Sequence, residues 1–76
     1  MKFRLLEPVR VARLSGGRLV APGTRGVSRP PRVGDEGAVV LTKGDRYTVE
    51  CTTERGETIW VADFREDELC STMHDM

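Results

Sequence analysis

Residues 34–52 read GDEGAVVLTKGDRYTVECT, and two features of this stretch decide the fold. Its second half alternates, with Tyr47, Val49 and Cys51 interleaved with Thr48, Glu50 and Thr52. A period of two puts one set on one face of a pleated strand and the other set on the opposite face. Val, Tyr and Thr suit that surface. The middle is broken by Gly44-Asp45, a dipeptide that turns a chain tightly between two strands. The stretch therefore predicts a β-hairpin, entered through a turn at Gly34-Asp35 where Asp35 can bond its own following backbone. Gly37 predicts a bulge or a close backbone approach. Val39, Leu41, Tyr47 and Val49 are the expected core residues, and Cys51 should point inward as a small apolar side chain.

The same period extends outward from this hairpin. Phe3 and Leu5 alternate with Lys2 and Arg4, and Val9 and Val11 flank Arg10. Ile59 and Val61 flank Trp60 and are expected to share the core face, which places Trp60 on the opposite face. Further turns are expected at Gly16-Gly17, between Leu14 and Leu19, and at Arg55-Gly56. Residues 21–32 hold Pro22, Gly23, Gly26, Pro30 and Pro31. Proline cannot donate to a ladder, so this segment reads as a long loop. Glu66 to Leu69 reads as one 3₁₀ turn, Leu69 to Ser71 as a last short strand, and residues 72–76 as a frayed tail. The prediction is an all-β, small SH3-like barrel of five to six strands, with a long loop between the first strands and the central hairpin. Residues 1–71 form its single domain.

Composition narrows the class. A chain of 76 residues buries only about 60% of the surface its unfolded form exposes, so its core is thin. Two cysteines make no disulfide framework. The apolar run Ala38 to Leu41 is far too short to span a bilayer. Arg4, Glu7 and Arg10 interrupt any signal-peptide core, so the expectation is a soluble, cytoplasmic chain without a membrane partner. The net charge is zero, but it is divided. Residues 1–34 carry eight basic residues against Glu7 alone, a net +7. Residues 35–76 carry four basic against eleven acidic residues, a net −7.

The motifs L-E-P-V (Leu6 to Val9), G-D-E-G-A-V-V (Gly34 to Val40), Y-T-V-E (Tyr47 to Glu50), G-E-T-I-W-V (Gly56 to Val61) and D-E-L (Asp67 to Leu69) together resemble a small bacterial family of unknown function with an SH3-like barrel. The likeness covers about two thirds of the sequence. It departs between Arg13 and Val33, where this chain is longer and more basic. The resemblance implies a fold and no activity. Pro22 to Val40 is similar to the barrel of nitrile hydratase β-subunits, but without the histidine of their loop. Type II dihydrofolate reductases are also similar in size and late strand. At their pore stretch this chain has Thr58-Ile59-Trp60-Val61, with neither the Gln nor the Tyr.

No catalytic or metal pattern emerges. Cys51 and Cys70 match no zinc spacing, and the sole histidine, His74, lies in the tail, so no base is at hand for a nucleophile. Glu66, Asp67 and Glu68 read as a solvated acidic turn. The expectation is a non-enzymatic module with no cofactor and no metal, binding another protein (a second copy or an operon-encoded partner) as a homo-oligomer. Trp60 is placed either at that contact or beneath the basic loop. The alternative partner is nucleic acid, met by Arg18, Arg25, Arg29 and Arg32, whose guanidinium forks match phosphate. Those arginines have a second reading, pairing with the acidic half. A third function, a pore-type enzyme built by symmetry, is implied by the reductase likeness.

Overall fold

The structure, a computed structural model, describes residues 3–14, 24 and 28–72. It is all-β. Five antiparallel strands form one sheet: β1 (Pro8–Val11), β2 (Glu36–Lys43), β3 (Arg46–Thr52), β4 (Thr58–Arg65) and β5 (Leu69–Ser71). Their spatial order is β4-β3-β2-β1-β5. A 3₁₀ turn at Glu66–Glu68 joins β4 to β5. These two strands are the opposite edges of the sheet, yet only three residues connect them. The sheet must therefore curl until its edges approach, which gives a barrel-like body whose sheet is not closed by hydrogen bonds.

Local chemistry explains the elements. Gly44 has φ 60° and Asp45 has no positive φ, the pattern of a type II′ turn with glycine in the first central position. Lys43 and Arg46 pair directly across it. Gly37 sits where β2 packs tightly against the β3 backbone. A Cβ there would collide with the Glu50 carbonyl oxygen and lie 2.9 Å from Val49 Cγ1. The close approach expected at Gly37 is thus present. Gly37→Ala should cost about 2 kcal/mol through overpacking, lowering the thermal midpoint by about 10 °C in a circular-dichroism melt. An unchanged midpoint would show that β2 and β3 can separate freely.

The core holds Phe3, Val9, Val11, Val39, Tyr47, Val49, Cys51, Trp60, Ala62, Phe64 and Leu69. Phe3 meets Tyr47 edge-on at 5.2 Å between ring centroids, and Trp60 meets Phe64 at 5.6 Å. Both are favoured aromatic geometries.

Four expectations need correction. Glu68 is not part of a solvated turn but fully buried, its carboxylate accepting from the Arg65 N–H. Trp60 faces inward and is 0% exposed, while Ile59 and Val61 are half-buried. The inward set of β4 is Trp60, Ala62 and Phe64. Leu41 is not a core residue but 53% exposed. The register shifts between Val39 and Leu41, and the extra residue of this bulge flips the remainder of β2 to the other face. Phe3 to Glu7 is a turn before β1 rather than a strand, and Leu5 is exposed. The Gly16-Gly17 turn, Arg18, Arg25 and residues 73–76 lie outside the described residues.

Candidate functional site

The Asp35 carboxylate accepts four hydrogen bonds. It comes directly after Gly34 in the turn that enters β2. Arg29 grips it with both arms of its guanidinium, Nη1 to Oδ2 at 2.7 Å and Nη2 to Oδ1 at 3.0 Å. The Arg32 backbone N–H donates to Oδ2 at 2.9 Å, and the Trp60 indole N–H donates to the same oxygen at 3.0 Å. The side chain is 14% exposed. Burial alone would raise its pKa. The hydrogen bonds from Arg29, Arg32 and Trp60, with the Arg29 charge, outweigh burial and hold the carboxyl below its ordinary value. The Asp35 backbone is engaged as well: its carbonyl accepts from Val11 N at 2.8 Å, and the Gly34 N–H donates to Val11 O at 2.8 Å. One turn thus fastens Arg29 and Arg32, β1 and β4 together.

This places the expected binding residues. Of the arginine set, Arg29 pairs with the acidic half through Asp35, one of the two readings its sequence allowed. The Arg32 side chain is exposed and has no ion-pair partner among the described residues. Trp60 offers no surface, because its ring is enclosed and its one polar atom is bonded to Asp35.

Two other groups have clear electrostatics. Burial pushes the Cys51 thiol up, the nearby Asp35 charge adds to this, and Arg29 opposes it. A thiol kept protonated in this way is a poor nucleophile. Asp67, on the 3₁₀ turn, is held below the usual carboxylate range by the Arg13 hydrogen bond at 2.7 Å, which acts against burial, with further help from the Arg65 charge at 3.4 Å. These exposed pairs position the segment after β1 and add little stability. A cavity of about 290 Å³ beside them is lined by Asp45, Arg65, Glu66 and Asp67. Among the described residues, no three His, Cys, Asp or Glu side chains are grouped to hold a metal ion. No helix among them is long and apolar enough to cross a membrane.

The edge of β4 is stopped at both ends. Ser28 N donates to Ile59 O at 2.7 Å, and Arg65 N donates to Glu68 Oε1 at 2.8 Å. The open backbone edge of β4 is therefore short.

A surface that the sequence pattern does not single out lies at the β2 bulge. Among the described residues, five large apolar side chains are exposed: Leu5, Leu6, Val33, Val40 and Leu41. Leu6 lies beside Val40 here, and Leu5 and Leu41 are their neighbours in sequence. The Leu6 N–H donates to Val39 O at 2.6 Å, so Leu6 touches the peptide unit that links Val39 to Val40. Leu5 lines a groove of about 490 Å³ with Phe3, Arg4 and Thr42. Leu6 is 76% exposed and has φ 66°, a left-handed conformation that costs a bulky L-residue roughly 1–2 kcal/mol. The turn is held there by Glu7 N to Arg4 O at 3.1 Å and Arg4 N to Glu7 Oε1 at 2.9 Å. The signal in the sequence is the unalternating run Ala38 to Leu41, which cannot place every side chain inside. No family model, curated protein or solved structure matches the chain.

Proposed function

We propose that this chain is a non-catalytic protein-binding module and that it makes contact through Leu5, Leu6, Val40 and Leu41. The observation that carries this reading is Leu6, strained and exposed beside the Val39–Val40 peptide unit, with Leu5 and Leu41 next to these two residues in sequence. Single exposed leucines need no explanation. A contiguous group edged by polar residues marks an interaction surface. The absence of an activated nucleophile at Cys51 and the full engagement of Asp35 favour binding over catalysis.

Nucleic acid is the less favoured partner, because Arg29 is already committed to Asp35. The pore-enzyme reading loses support too, since Trp60, from the stretch that would line the pore, is enclosed within a single chain.

A photo-crosslinking amino acid at Leu41, compared with one at the equally exposed Val33, tests the assignment in producing cells. Discrete protein adducts are expected from position 41 and none from 33. Equal labelling at both, or none at either, would remove this surface as the contact.

A further inference from the structure

The bulge in β2 has a second effect, on the other face of the strand. Leu41 pairs with Thr48 and faces outward, so the next residue, Thr42, pairs with Tyr47 and takes the core side. A half-buried threonine thus stands where alternation would otherwise place an apolar side chain. Thr42 lines a groove of about 490 Å³ with Phe3, Arg4 and Leu5. Small-molecule sites span roughly 300–1,000 Å³ and are mostly apolar, with a few polar groups that fix orientation. Phe3 is the apolar floor, 1% exposed and set edge-on against Tyr47, and Leu5 is an exposed apolar wall. The two polar side chains are uncommitted. The Thr42 hydroxyl makes no hydrogen bond among the described residues. No carboxylate among them lies within ion-pair distance of the Arg4 guanidinium. Glu7, the nearest acid in sequence, instead accepts from the Arg4 backbone N–H at 2.9 Å. The backbone beside the groove is largely spent: Phe3 N donates to the Tyr47 hydroxyl at 3.5 Å, Arg4 O accepts from Glu7 N at 3.1 Å, and Leu6 N donates to Val39 O at 2.6 Å.

We infer that this groove binds a small aliphatic carboxylate, in chemical class a medium-chain fatty acid. The hydrocarbon chain lies on Phe3 and Leu5. The carboxylate meets the Arg4 guanidinium, whose planar fork matches it, and accepts from the Thr42 hydroxyl. Burial of methylene groups supplies the affinity, and the single cation decides which end of the ligand it meets. One guanidinium balances one carboxylate charge, whereas a phosphate would bring up to two. An extended peptide is disfavoured, because strand addition needs free backbone donors and acceptors, and those beside the groove are largely taken. The inference goes beyond the protein contact proposed above. Leu41 faces away from the groove, and the test uses no protein partner, so either reading can fail without the other.

The test uses the full chain, labelled for amide NMR. The probes are decanoate below its micelle-forming concentration, decanol, acetate, and an apolar tripeptide with a free C-terminal carboxylate. Decanoate should shift the Phe3, Leu5 and Thr42 amides saturably. Decanol, with the same chain and no charge, should bind about tenfold more weakly, and acetate, with no chain, should cause no shift at these amides. Arg4 is exposed, so Arg4→Gln should keep the fold, checked by an unchanged thermal midpoint. It should lower decanoate affinity about tenfold and leave decanol unaffected. Added salt should weaken decanoate alone. Equal affinity for decanoate and decanol, or decanoate binding undiminished by Arg4→Gln, would overturn the carboxylate assignment. A tripeptide that binds more tightly than decanoate would replace the fatty acid with a chain terminus. Shifts spread over the whole sheet, or no shift at all, would overturn the site itself.

Discussion

Trp60→Ala should leave the chain largely unfolded at physiological temperature. The indole is fully enclosed, packs on Phe64 at 5.6 Å and bonds Asp35 at 3.0 Å. Removing so large a buried ring costs about 3–5 kcal/mol. A domain of this length has a total stability of only about 4–11 kcal/mol, so the loss takes from about a quarter to all of it. Trp60→Phe separates the two roles of the side chain. It keeps most of the packing and removes the indole N–H, and should cost about 1 kcal/mol, seen as a lower urea midpoint with an unchanged slope. A Trp60→Ala variant that melts within a few degrees of the parent would mean the ring is not what organises β4.

The second large effect is at Asp35. Asp35→Ala strips the acceptor from the Trp60 indole, the Arg32 amide and both arms of Arg29 at once. Leaving these donors poorly satisfied should cost about 3 kcal/mol, with the turn into β2 loosening first. The pH dependence is set by the depressed pKa. Because the folded-state value lies below the unfolded one, the stabilisation is complete above the unfolded pKa. It is lost as pH falls through the folded value. Urea midpoints of the parent should therefore drop on acidification through that range, and those of Asp35→Ala should drop less steeply. Parallel acid limbs for the two proteins would show that other carboxylates govern the transition.

Much of the frame is legible in the sequence because its signals are local. Glycine marks the Gly44-Asp45 turn, period two marks β3, and the 3₁₀ turn and β5 fall where the Glu66 to Ser71 residues suggest. The features that escape depend on longer reach. The face of Trp60 is ambiguous because the run Ile59 to Ala62 is apolar on both faces. Extending it by two residues resolves it, since Phe64 continues the Trp60 set and Asp63 the Ile59 set. Leu41 is misassigned because strict alternation cannot reveal a bulge. Asp35 is recognisable as a turn residue but not as the partner of Trp60, which lies twenty-five residues away in sequence. The strain at Leu6 is invisible to composition, because nothing about a leucine announces a positive φ.

The sheet order carries a consequence for the route of folding. The pairs β2–β3 and β3–β4 are adjacent in the chain, each closed by a short turn, so they can form early and locally. The pairing of β1 with β5 brings Arg10 to Cys70, across almost the whole described length. Until that late closure, one side of β1 lacks its neighbour and Leu69 has no core to enter. The three-stranded meander can thus form ahead of the final seam, which waits for β5 to reach β1.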